Sequence, residues 1–288
     1  MYDPFDEKYE VLKYIHVYDA DVKKKTGDIV AATFDGLFVD EKKMQLEDWE
    51  TIESFSSSTV FKKVIELDGK VYVAANDGLY SIDTDDGYYL TRVLGGKEVK
   101  AMCVSNKTLF AVMATEEDGM IMNSLYMVSK DGQIDDITST VLNFSVIASL
   151  DVTSMESYNG NVLLGTSRGL HYFTYGPVIL VNTVEKEVGN TNISSLNIID
   201  MCTTSGGVAV ATATRYYVLS SMTYTREETK SIKSFSLAEV GRYKVSDNVL
   251  KTAALGGKHY AVSTEGLIDL SNYSKRTVNG TVKDAAYV

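Results

Sequence analysis

The stretch LDGKVYVAANDGLYSID, residues 67–83, decides the fold. Asp68-Gly69 is a two-residue turn signal, followed by the short strand-forming run 71–75. Asn76-Asp77-Gly78 turns the chain again and leads into a second run, 79–82. Strand-forming runs joined by Asp-Gly turns predict a β-hairpin, because glycine accepts the positive φ that primed turns require.

Working outward, variants of the hairpin recur as IVAATFDGLFVD (29–40), LFAVMATEEDGMIMNSLYMVS (109–129), VLLGTSRGLHYFT (162–174), VAVATATRYYVLS (208–220) and YAVSTEGLIDLS (260–271). Their turn anchors are Gly36, Gly78, Gly119, Gly169, Arg215 (where Gly is expected) and Gly266. The steps are 42 (36 to 78), 41 (78 to 119), 50 (119 to 169), 46 (169 to 215) and 51 (215 to 266). An all-strand period of about 40–50 residues is that of a propeller blade.

Five hairpins have a leader strand before them: FKKVIEL (61–67), VKAMCVS (99–105), VTSMESY (152–158), IIDMCTT (198–204) and LKTAALG (250–256). A more polar strand follows each hairpin, as in GYYLTRV after Asp86-Gly87. The middle strands are small and apolar, as sheets packed face to face require. The expected fold is all-β: one six-bladed propeller of four-stranded antiparallel blades over residues 14–288, behind an acidic N-terminal arm, 1–13. An α/β fold would need helical periodicity between strands. Only TREETKSIKSFSL, 225–237, could be argued that way, and it fits equally well as a long polar outer strand.

The ring must also close, or two sheet edges stay open. VKDAAYV at 282–288 repeats the leader pattern of 99–105 with no hairpin after it. Closure by this C-terminal strand is therefore expected, innermost in the first blade beside 29–33. Residues 9–18 would then be an outer strand of the last blade. The alternative keeps 14–21 as the first leader.

Four copies carry a Gly-Leu pair, at 36–37, 78–79, 169–170 and 266–267. With Ala75-Asn76-Asp77-Gly78-Leu79-Tyr80 and Gly165-Thr166-Ser167-Arg168-Gly169-Leu170-His171, this pattern resembles the blade repeat of two-component-regulator-type propellers. The resemblance implies a fold and leaves function open. The Gly-His and Trp-Asp marks of WD40 repeats are missing.

Charge narrows the partners. The chain has 28 Lys+Arg against 39 Asp+Glu, a formal net charge of -11, which disfavours a phosphate-binding surface and hence nucleic acid. No run of 18 or more apolar residues is present, so no membrane insertion is expected. The acidic start lacks an apolar core of the secretory kind, so synthesis in the cytoplasm without export is expected. Cys103 and Cys202 occupy the same place in two copies and read as free, buried thiols. Without export, the Asn-x-Ser/Thr triplets at Asn106, Asn143, Asn192, Asn272 and Asn279 are chance matches.

Residues in patterns that carry chemistry are few. His16, His171 and His259 fall at unlike places in different copies, which argues against a shared metal site. The run Asp83-Thr84-Asp85-Asp86-Gly87 has its glycine at position five where a calcium loop needs six, so it reads as a tight turn. Propeller hydrolases and lyases gather charged groups from the channel ends of leader strands, where Lys100, Glu156, Asp200 and Lys251 are the candidates by position. No catalytic, cofactor-binding or metal site is assigned, and no cofactor is expected.

Tyrosine is abundant at 19 while tryptophan occurs once, at Trp49, on an expected outer strand. Such surfaces favour protein contacts. Blades lengthen at 138–150, 176–196 and 220–248, and the connections VLNFSVIASL (141–150) and PVILVNTV (177–184) are apolar enough to need cover from their own blade or another subunit. The reading is a non-enzymatic structural or adaptor protein that contacts other subunits of a large assembly. In general character it is similar to bacteriophage tail propellers, which implies a place in a virion. The alternative is a ligand- or partner-sensing propeller of a cellular regulator, and an enzyme stands third.

Overall fold

A computed structural model describes residues 17–22, 27–33, 36–40, 42–43, 58–83, 89–226, 231–242, 248–255, 257–263, 266–270 and 276–279. These residues form six four-stranded antiparallel sheets, each built from strands consecutive in sequence. The first blade is β1 (Val17–Val22), β2 (Ile29–Thr33), β3 (Gly36–Val39) and β4 (Lys42–Lys43); the second is β5 (Phe61–Leu67), β6 (Lys70–Ala75), β7 (Gly78–Asp83) and β8 (Tyr89–Gly95). The third blade holds β9 (Glu98–Ser105), β10 (Thr108–Glu117), β11 (Met120–Val128) and β12 (Ile134–Asp136); the fourth β13 (Val152–Tyr158), β14 (Asn161–Thr166), β15 (Gly169–Thr174) and β16 (Asn182–Thr183). A small hairpin, β17 (Glu187–Val188) and β18 (Thr191–Asn192), precedes the fifth blade of β19 (Ile198–Thr204), β20 (Gly207–Thr212), β21 (Arg215–Arg226) and β22 (Ser231–Arg242). The sixth is β23 (Val249–Leu255), β24 (Lys258–Ser263), β25 (Gly266–Asp269) and β26 (Arg276–Asn279).

The turns follow from their residues. Asp68-Gly69 has φ of 53° and 90°, and Asn159-Gly160 has 49° and 74°, the left-handed pair that a tight primed hairpin needs. Gly169 sits at φ 90°, whereas Gly78 is required by crowding: a Cβ there would lie 2.3 Å from the Leu94 carbonyl oxygen. Arg215 replaces the glycine of the fifth copy, and its guanidinium donates to Thr191 in the extra hairpin and to Glu239.

Buried residues pack between blades. Val30, Leu37, Phe61, Val73 and Tyr80 fill the space between blades one and two, and Leu79, Val99, Met102 and Leu109 that between two and three. Among the described residues the largest core lies between blades three and four, around Phe110, Leu125, Phe144, Ile147, Met155 and Phe173. The apolar connections are part of it: Val141, Phe144, Ile147, Ile179 and Val181 are buried. The two connections also bond to each other, the Leu142 N–H to the Ile179 carbonyl (2.9 Å) and the Val181 N–H to the Leu142 carbonyl (3.0 Å). The molecule's own blades therefore bury Val141, Phe144 and Ile147 of one connection and Ile179, Val181 and Val184 of the other, while Leu142, Val146 and Val178 stay exposed.

Two expectations are corrected. The place beside Ile29–Thr33 expected for 282–288 is taken by β1, and β2 has β3 on its other edge. The outermost described strand of the last blade is β26, and Val17 and Tyr18 of the 9–18 run belong to β1 of the first blade, while 9–16 lie outside the described residues. The local pattern of 282–288 copies a leader strand, but pattern alone does not say which sheet edge will accept it. The run 225–237 is likewise split, between the end of β21 and the first half of β22. The arm 1–13, His16, Trp49, the turn 84–88, Asn272 and the segment 282–288 lie outside the described residues.

Candidate functional site

The six inner strands line the axis, and each carries the same irregularity. One residue near the start is left out of the pairing register: Tyr18, Lys62, Lys100, Thr153, Ile199 and Leu250. A bulge of this kind re-aims the side chains that follow it. The residues just after it are Asp19, Lys63, Ala101, Ser154, Asp200 and Lys251, and two further on come Asp21, Ile65, Cys103, Glu156, Cys202 and Ala253. Four carboxylates and two ammonium groups are thereby brought to the axis.

An inner strand has one edge unpaired, and its backbone groups need partners. Side chains of the preceding blade supply them. Asp19 accepts from the Val64 N–H and Asp21 from the Glu66 N–H, each at 2.9 Å, joining blade one to blade two. Asp200 accepts from the Thr252 N–H (2.7 Å) and hydroxyl (3.0 Å), joining five to six. Thr153 donates to the Ile198 carbonyl (2.9 Å), and Thr203 donates to Glu156 (2.8 Å), joining four to five. Lys251 donates to the Tyr18 carbonyl, which ties the sixth blade back to the first.

One side chain crosses the ring. The Lys63 ammonium of blade two lies 4.0 Å from Glu156 of blade four. The equivalent residue of blade three is Ala101, whose small side chain leaves that sector open. Water reaches both groups along the axis, at side-chain exposures of 32% and 22%. Burial would lower the Lys63 pKa, but Glu156, Asp19 and Asp200 around it raise it by more. Burial also holds the carboxyls of Glu156, Asp19 and Asp200 above their ordinary range, against the pull of the lysines and their hydrogen bonds. At the mouth a second chain runs from Lys62 to Glu98, to Lys100 (3.5 Å) and on to Asp151 (3.0 Å).

Of the four positional candidates, Glu156, Asp200 and Lys251 do come to the axis, while Lys100 is held at the mouth. Asp19 and Lys63 were missed. Both stand two residues after the apolar residue that opens the leader (Val17, Phe61), an offset that becomes a signal only once the unpaired residue between them is known. The histidines do not meet. His171 is buried in blade four, with Nε2 3.1 Å from the Arg168 carbonyl and Nδ1 3.1 Å from the Thr183 hydroxyl. In blade six, His259 Nε2 lies 3.0 Å from the Thr204 hydroxyl of blade five. Among the described residues no group of three His, Cys, Asp or Glu side chains is placed to hold a metal ion.

Both thiols are free and buried. Burial pushes the Cys202 thiol up to about 12 and moves Cys103 in the same direction. Because the thiolate is the reactive form, thiol reagents should label the native protein far more slowly than the unfolded chain. Equal rates in the two states would contradict the placement of these strands.

Burial lowers the pKa of His171. A lowered folded pKa means that neutral His171 supports the fold fully above its unfolded pKa of about 6.5, and that this support is lost as pH falls through the folded value. The stability advantage of the wild type over His171→Gln should therefore shrink between pH 7 and pH 5. Denaturant unfolding at both pH values checks this, and a constant difference would refute it.

No protein-family model matches the chain. No curated protein matches it either. Solved structures do. The extracellular domain of the putative hybrid two-component system BT4673 from B. thetaiotaomicron is similar over 92% of this chain, with a TM-score of 0.59 and 17% identity. The chain spans about a third of that protein's length, 32%. The AfRom2 CNH domain is similar over 93% of this chain and 85% of its own, with a TM-score of 0.55 and 8% identity. AztD from Citrobacter koseri gives 92% and 74%, with a TM-score of 0.51 and 12% identity. None of these three is a phage tail component. The likeness to two-component propellers read from the Gly-Leu repeats thus extends to three dimensions, and at these identities what it shows is the fold, a six-bladed β-propeller.

Proposed function

We propose that the chain is a recognition module, a non-catalytic propeller that senses a partner or ligand through its rim. The observation that carries this reading is the use made of the axial charges. Asp19, Asp21 and Asp200 accept from the next blade, Glu156 from Thr203, and Lys251 donates to Tyr18. Groups held in this way are spent on joining blades, and a general base or nucleophile has to be free to meet a substrate. The net charge of -11 points to protein or cationic partners over nucleic acid. A sensing role is compatible with the two-component propeller fold. A place in a virion draws no support from the structures reported above and is not carried further.

The test is a turnover screen of the purified protein on ester, lactone and glycoside substrates, with and without divalent cations. No turnover above background is expected. Turnover that Glu156→Gln or Asp200→Asn abolishes in a folded protein would overturn the reading.

A further inference from the structure

Eight large apolar side chains are exposed among the described residues, and four of them lie on blade three and the chain that joins it to blade four: Met120 (66%), Met122 (46%), Leu142 (54%) and Val146 (40%); a fifth, Val178 (63%), lies in the β15–β16 connection of blade four that bonds to Leu142. Their setting is specific. Inner strand β9 pairs with β10 only as far as Glu98 opposite Ala114, but β10 and β11 continue together from Thr115 opposite Met122 to Glu117 opposite Met120. The end of this hairpin stands beyond the blade as a two-stranded ribbon. Its tip is Glu116-Glu117-Asp118, all exposed.

The ribbon's base is pinned to the connection. Asn123 donates from its side chain to the carbonyls of Ile147 and Leu150, each at 2.7 Å, and from its backbone to Ala148 (2.8 Å). That places Val146 beside the ribbon. Strand alternation puts Ile121 on the side of Asn123 and Met122 on the other, so apolar groups flank the acidic tip on both sides. No Lys or Arg occurs from Thr115 to Asn123, and 137–150 and 176–184 carry no charged residue at all.

Resting on the recognition reading above, we propose that this ribbon and the adjoining connection form a docking surface for a cationic amphipathic segment of a partner protein. Three consecutive carboxylates select Lys or Arg and repel phosphate, which excludes nucleic acid and anionic lipid as the occupant. The methionines supply an apolar contact that adapts its shape, as surfaces that grip amphipathic segments commonly do. On the ribbon's other face, Ile121 and the apolar connection pinned to Asn123 supply a second apolar contact that runs toward blade four.

The probe is a synthetic Leu/Lys amphipathic peptide of about 18 residues, titrated into the full chain beside a Leu/Glu counterpart and anionic phosphatidylserine vesicles. The Leu/Lys peptide should bind and the other two should not. Met120→Ser/Met122→Ser should weaken binding at least tenfold, and so should Glu116→Lys/Glu117→Lys, with melting temperatures unchanged because these side chains are exposed. Val240→Ser, at an exposed position on blade five, should leave affinity as it was. Equal affinity of the ribbon variants and the wild type would overturn the proposal, since it would mean diffuse attraction to a protein of charge -11. Binding of the vesicles, or no binding of the Leu/Lys peptide, would overturn it too. None of these failures touches the recognition reading, which falls only to turnover in the screen described above.

Discussion

Replacing Phe173 by alanine is expected to cost about 3–5 kcal/mol of stability. The ring is fully buried in the core between blades three and four. It meets Phe110 edge to face, with centroids 5.3 Å apart and planes at 73°, and Phe110 also meets Tyr175 at 5.3 Å. Removing the ring loses its transfer energy and leaves a cavity that flanking sheets cannot close, because each is fixed by its own hydrogen-bond ladder. At roughly 2–4 °C per kcal/mol for a chain of this size, the midpoint of thermal unfolding should fall by about 6–20 °C. A drop of less than a few degrees would mean that this interblade core is not packed as described.

Gly169→Ala is expected to cost about 3 kcal/mol for a different reason. The residue sits at φ 90°, where a Cβ adds roughly 1–2 kcal/mol of strain. That Cβ would also lie 2.6 Å from the Ser194 Cα and 2.8 Å from its carbonyl carbon and oxygen. Those atoms are backbone, in the short 3-10 turn Ile193–Ser195, and cannot swing aside as a side chain would. Gly160→Ala is the comparison, since its Cβ would meet nothing closer than the Asn106 side-chain nitrogen at 3.8 Å. Unfolding in urea should show the larger loss for Gly169→Ala; equal losses would remove the contact with the Ser194 turn from the account.

These two residues also show what the sequence makes legible. Gly169 and Phe173 belong to the same repeat, VLLGTSRGLHYFT, whose Gly-Leu pair and alternating apolar residues mark a turn and a two-sided strand. Such signals are local, and so the leaders 61–67, 152–158 and 198–204 emerge with the bounds they have in the structure. Ring closure is not local: 282–288 looks like a leader, yet β1 fills the place expected for it. The channel was legible in part. Glu156, Asp200 and Lys251 follow from counting along a leader, but Lys62 and Lys63 are adjacent, and strand alternation cannot say which one turns inward. The unpaired residue at Lys62 decides it, and that shift of register is set by pairing with β6. Asp19 was hidden because the first leader had been assigned to the other end of the chain.

The claim at the centre of this account is that the axial charges hold blades together while recognition takes place outside them. A double-mutant cycle of Lys63→Met and Glu156→Gln tests it most directly, read both as unfolding free energy and as affinity for the Leu/Lys peptide. The pair spans blades two and four at 4.0 Å and is partly reached by water, so a coupling of about 0.5–1 kcal/mol is expected in stability. No coupling is expected in peptide affinity. Coupling in affinity without coupling in stability would contradict the account and place the recognition site in the channel.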